Sequence, residues 1–173
     1  MSQRATSIDL AELPLNQGQR MVCALDVPLE PVLLAGQAYQ VLADADGVEI
    51  EVERISGGFL VRLRLSASVY GPCFRCLREV KLEVNAEQEE FIPLRPAEWS
   101  PEDLSPFVKD LLLDVAGLAR ETLVLGLPVK ILCAEGCAGL CPTCGGEVHE
   151  GPCREGEQPP DPRWAKLQDL HLE

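Results

Sequence analysis

The sequence predicts an α+β fold. It calls for an antiparallel β-sheet or partly open barrel packed by one main helix, with a C-terminal cysteine cluster and a short terminal helix. Three observations carry this reading. Apolar and polar residues alternate with period two over the twelve residues from Phe59 to Tyr70. A helical period takes over after Ser105-Pro106. Five of the eight cysteines then crowd between Cys133 and Cys153.

Residues 1–19 show little periodicity and contain Pro14 and Gly18, which predicts a flexible N-terminal arm. From Arg20, Met21, Cys23, Leu25 and Val27 occupy alternate positions, the signature of a half-buried strand. Pro28, Pro31 and Gly36 mark a connection, and a short strand is expected at Tyr39–Ala43. Asp44-Ala45-Asp46-Gly47 reads as a turn. Beyond it Val48, Ile50 and Val52 alternate with Glu49, Glu51 and Glu53, giving one apolar and one carboxylate face. Ser56-Gly57-Gly58 turns the chain back, because glycine supplies the positive φ that tight hairpins require.

The next strand buries Phe59, Val61, Leu63, Leu65, Ala67 and Val69 on one face, and Arg62 and Arg64 belong to the other. Gly71-Pro72-Cys73-Phe74-Arg75-Cys76 is a hairpin connection, and Val80, Leu82, Val84 and Ala86 alternate in the returning strand. Pro93, Pro96 and Pro101 end the sheet. Ser105 before Pro106 forms a helix cap with proline at the first helical position. Val108, Leu111, Leu112, Val115, Leu118 and Ala119 then predict a helix over about residues 106–124. The chain thus divides into the arm, an α+β core at 20–128, and a cysteine-rich segment at 129–173. That last segment ends in a helix announced by Asp161-Pro162, with Trp164, Leu167 and Leu170 on one face.

The chain has 173 residues and a formal net charge of −13, which favours solubility and disfavours indiscriminate nucleic-acid binding. The window from Arg54 to Lys81 is an exception, with six basic residues and one acid. No apolar stretch approaches the roughly 18 residues of a membrane span. The N-terminus has no apolar core of signal-peptide length, so a cytoplasmic location with reduced thiols is expected. No phosphate-binding glycine loop or nucleophile elbow is present, and no small-molecule substrate is expected.

Reduced, clustered cysteines point to metal. Cys141-Pro142-Thr143-Cys144-Gly145 sets two sulfurs in a tight turn whose amides can face the thiolates, and structural zinc takes four such ligands tetrahedrally. The expected site is one structural Zn²⁺ on Cys133, Cys137, Cys141 and Cys144. A rival set joins Cys73 and Cys76 to Cys141 and Cys144, pinning the hairpin tip to the C-terminal segment. The pair Cys73 and Cys76 reads equally as metal donors or as two thiols at a turn. Cys23 stands alone on an apolar face, as a buried structural thiol does. Cys141, Cys144, His149 and Cys153 nearly reproduce the Cys-Cys-His-Cys knuckle of RNA-binding proteins, one residue short at the end.

Cys73-Phe74-Arg75-Cys76-Leu77, the C-x-G-L-C-P-x-C-G run ending at Gly145, and Asp161-Pro162-Arg163-Trp164-Ala165-Lys166-Leu167 together resemble the bacterial YceD family, over roughly residues 20–172. The family usually has asparagine where His149 stands and often a second cysteine just after the position of Cys153. Named for the accumulation of large-subunit ribosomal RNA, it implies a non-enzymatic accessory protein acting on ribosomal RNA or a pre-ribosomal particle. Under that implication Arg62, Arg64, Arg75 and Arg78 are the candidate RNA-binding residues, with Tyr70 and Phe74 as stacking platforms. Two alternatives belong to other classes. An acidic adaptor would bind ribosomal or other basic proteins, and a dithiol oxidoreductase would use Cys73 and Cys76.

Overall fold

The structure, a computed structural model, describes residues 3–4, 6–148 and 153. The main sheet is built from β1 (Gln3–Arg4), β3 (Arg20–Asp26), β5 (Gln37–Ile55), β6 (Gly58–Pro72) and β7 (Glu79–Pro93), hydrogen-bonded in that order. The short β4 (Val32–Leu34) also pairs with β5. A smaller sheet joins β2 (Ser7–Asp9), β9 (Leu112–Asp114) and β8 (Val108–Lys109). One α-helix, α1 (Val115–Gly126), packs on β6 and β7.

The alternation read from the sequence fixes which face is buried. Val61, Leu63, Ala67 and Val69 are fully enclosed, as are Ile50 and Val52 on β5. Each such valine or leucine contributes roughly 1.5–3 kcal/mol of apolar burial. Leu118, Ala119 and Leu123 of α1 close the core from the other side. Cys23 lies half-buried against this core, and burial pushes its thiol pKa up.

Three elements differ from expectation. The turn signal Asp44–Gly47 is spent on a bulge, not a turn: β5 runs through it, with a shift in register between Ala43 and Val48. Gly47 adopts φ +63° there, and a Cβ on it would lie 2.8 Å from the Leu25 carbonyl oxygen. The arm is woven into the fold, since β2 pairs with β9 and Leu10 is fully buried. The helix starts nine residues later than expected, at Val115. Asp110 and Leu111, both at positive φ, turn β8 into β9, and the Asp114 carboxylate caps the helix by accepting from the Gly117 N–H at 3.0 Å. The unpaired edge of β2 competes successfully for the backbone of Leu112–Asp114, overriding helical periodicity. The expected terminal helix after Asp161 lies outside the described residues.

β6 and β7 pair residue by residue from Gly58↔Pro93 to Pro72↔Glu79. This long hairpin carries Cys73 and Cys76 to its tip. Beneath the tip, Gly71 leaves room for the buried Tyr39 ring: a Cβ there would sit 2.3 Å from Tyr39 Cδ1. The Tyr39 hydroxyl donates to the Pro72 carbonyl at 2.8 Å. After α1 the chain returns to the same tip, where the Phe74 N–H donates to the Ile131 carbonyl at 2.8 Å.

Candidate metal centre

The hairpin tip is a tight turn made by its own backbone. The Cys73 N–H donates to the Arg78 carbonyl at 2.7 Å, and the Leu77 N–H donates to the Cys73 carbonyl at 3.0 Å. Leu77 takes φ +61°, a conformation that leucine rarely adopts. The fold of the turn directs amides inward: Arg75 N–H lies 3.5 Å from Cys73 Sγ, and Cys133 N–H lies 3.3 Å from the same sulfur.

Four thiols meet here. Cys73, Cys76, Cys133 and Cys137 place their sulfurs all within 4.8 Å of one another. Cys73 and Cys137 are 3.8 Å apart, and Cys76 and Cys133 are 3.5 Å apart. A tetrahedral zinc with Zn–S bonds of about 2.3 Å requires sulfur separations of about 3.8 Å. Disulfide bonds are far shorter, and none of the eight cysteines is in a disulfide. Among the described residues this set fits one four-thiolate ion, with no position left for water.

Electrostatics favour a cation at the centre. Burial opposes ionisation of Cys73, yet the N–H groups of Cys76, Arg75 and Cys133 draw its pKa down to about 6. The Arg78 guanidinium leads in lowering that of Cys76. Cys133 is pushed up to about 12, first by its hydrogen bonds with the Cys76 and Cys137 thiols and then by burial. Four sulfurs in contact resist losing all their protons, and a divalent cation removes that resistance. Arg75 Nη1 meanwhile donates to the Cys137 carbonyl at 2.7 Å, tying the two halves of the centre together.

The four cysteines expected to share one ion fall into two groups. Cys133 and Cys137 join Cys73 and Cys76, whereas Cys141 and Cys144 gather with Cys153, again within 4.8 Å. Gly139, at φ +88°, packs against the Arg75 backbone between the two groups. Neither expected set contains the pairing of Cys73 and Cys76 with Cys133 and Cys137. Sequence spacing had no means of finding it, because 57 residues separate Cys76 from Cys133. His149 lies outside the described residues.

The arginines expected to meet RNA are engaged within the protein. Arg62 lies between Glu51, Glu87 and Glu89, and Arg64 contacts Glu49 and Glu87 at 3.0 Å. Register explains it: Arg62 is flanked by Glu51 and Glu89, and Arg64 by Glu49 and Glu87. Arg78 reaches Glu147 at 3.6 Å. Phe74 carries Lys130 over its ring at 4.9 Å, and Tyr70 is half-buried on β6.

Comparison with known proteins adds identity to this geometry. The family model described as "Large ribosomal RNA subunit accumulation protein YceD" matches residues 61–171, which include nearly all of the hairpin and both cysteine groups. Uncharacterized proteins of Mycobacterium tuberculosis and Mycobacterium bovis are each 33% identical over 126 residues, 71% of this chain and 60% of theirs. One from Mycobacterium leprae is 29% identical over 126 residues, 71% of this chain and 58% of its own. The chain thus spans about 60% of the length of these relatives. No solved structure matches.

Proposed function

Because the chain belongs to the YceD family, we propose that it acts without catalysis in the accumulation of large-subunit ribosomal RNA, binding that RNA or an assembly intermediate. The observation that carries this reading is the family match, which covers the hairpin tip and both cysteine groups. A structural zinc on Cys73, Cys76, Cys133 and Cys137 holds the hairpin tip to the returning chain. This set replaces the one expected from spacing. When bound, the ion supplies a cross-link and no reactive position.

The surface favours a particular form of contact. On the outer sheet face Arg20, Arg62 and Arg64 lie among Glu49, Glu51, Glu53, Glu87 and Glu89. Five carboxylates against three guanidiniums repel phosphate and suit a basic protein. We therefore favour attachment to the pre-ribosomal particle through its basic proteins over direct RNA contact by Arg62, Arg64, Arg75 and Arg78. Thiol exchange at Cys73 and Cys76 is disfavoured, since both are buried and sit at a hairpin tip, not at a helix start.

Depletion of the protein in its host tests the reading. Large-subunit ribosomal RNA should fall relative to small-subunit RNA and recover with the wild-type gene, and unchanged RNA ratios would refute the proposal. Affinity capture with and without nuclease then separates the two modes of contact. Ribosomal proteins retained after nuclease support the acidic-face reading, and their complete loss supports RNA contact.

A further inference from the structure

The second cysteine group repeats the first turn position for position. The Cys141 N–H donates to the Gly146 carbonyl at 2.7 Å, as Cys73 does to Arg78. The Gly145 N–H donates to the Cys141 carbonyl at 2.8 Å, as Leu77 does to Cys73. Gly145 takes φ +69° where Leu77 takes +61°. The amides of Thr143 and Cys144 bond the Cys141 sulfur, as those of Arg75 and Cys76 bond Cys73. A turn that points two amides at one sulfur stabilises a thiolate, and two thiols two residues apart then face a common point.

A third sulfur completes the resemblance. Cys153 Sγ lies 4.0 Å from Cys141 Sγ, and all three sulfurs are within 4.8 Å of one another. That separation is near the roughly 3.8 Å of zinc-bound thiolates. The group is separate from the first centre: its sulfurs do not fall within the first set, and the connection passes through Ala138–Leu140. We propose that Cys141, Cys144 and Cys153 form a second zinc-binding centre, so that each chain carries two zinc ions. The three thiolates hold the ion, and its fourth position is left to a donor outside them. Unlike the first, this centre closes a loop of only twelve residues between Cys141 and Cys153. The inference rests on this cluster and its turn, not on the ribosomal reading, and it can fail alone.

The test is zinc stoichiometry. The full chain is saturated with zinc, freed of excess metal, and weighed by native mass spectrometry. Two ions per chain are expected for the wild type, and one for Cys144→Ser/Cys153→Ser. A wild type that never exceeds one ion, or a double variant that retains two, would overturn the proposal. So would a wild-type chain carrying a Cys141–Cys153 disulfide under reducing conditions. Should the double variant fail to fold, cobalt titration of the wild type decides. A second equivalent that brings its own thiolate-to-cobalt charge-transfer absorption supports the centre, and absorption that saturates at one equivalent refutes it.

Discussion

The turn at Cys73–Cys76 rides on two fifteen-residue strands, whereas the turn at Cys141–Cys144 stands on one isolated bridge between Leu140 and Glu147. Their backbone hydrogen bonds are the same. Their surroundings are not: Cys73 is fully buried, and Pro142, Thr143 and Gly145 are exposed. The first turn meets cysteines about sixty residues away, and the second meets one twelve residues away. The same local device therefore does two jobs. At the hairpin a bound ion would link distant parts of the chain, and since the site exists only in the folded state its binding free energy would add to folding. In the C-terminal segment an ion on Cys141, Cys144 and Cys153 would bridge positions only twelve apart.

The largest expected effect follows from that contrast. Cys73→Ser should markedly lower the global stability of the zinc-loaded protein, because binding free energy at a site formed only on folding is folding free energy. Cys144→Ser should leave the unfolding midpoint of the core unchanged. Urea denaturation of the zinc-loaded proteins, followed by far-UV circular dichroism, measures both. Equal losses for the two variants would mean that the second group also supports the core, and the contrast would fail.

Packing beneath the turns gives the next effect. Gly71→Val forces a side chain into the Tyr39 ring, which is 1% exposed and anchored by its bond to Pro72. Overpacking of this kind costs roughly 1–3 kcal/mol. Because the displaced ring lies under the hairpin tip, zinc affinity at the first centre should fall with stability. Competition against a chromophoric chelator reads the affinity. A destabilised variant with unaltered zinc affinity would show that the tip is independent of its support.

The sheet was legible because its pattern is local. Phe59, Val61, Leu63, Leu65, Ala67 and Val69 recur at every second position, and all are buried. The start of α1 was not legible, since Val108, Leu111 and Leu112 match helical spacing while Leu112 pairs with β2, Val108 pairs with β9 and Leu111 turns between the strands. At the site, the sequence named the cysteines and the metal chemistry but not the partners. Spacing ties Cys133 and Cys137 to Cys141 and Cys144, whereas the hairpin brings Cys73 and Cys76 to them from across the fold. Arg62 and Arg64 looked like a basic island along the chain. Their cross-strand neighbours are carboxylates, so the island exists in sequence and not on the surface.

The smallest effect concerns the residue after each second cysteine, Leu77 and Gly145, which share one backbone conformation. A left-handed conformation costs a leucine roughly 1–2 kcal/mol, and glycine does not bear that cost. Leu77 is 57% exposed, so little packing is lost with its side chain. Glycine in turn loses about 0.5–1 kcal/mol more entropy on folding. Leu77→Gly should therefore raise stability by between about 0 and 1.5 kcal/mol, read as a higher urea midpoint. For the reverse change, Gly145→Leu, a Cβ meets no neighbouring atom within 4 Å, and its left-handed backbone, φ +69°, carries the conformational cost. That cost should weaken zinc binding at the second centre severalfold while the core midpoint stays fixed. If Gly145→Leu binds zinc as the wild type does, the left-handed residue is not required by the turn. The equivalence drawn between the two turns would then be lost.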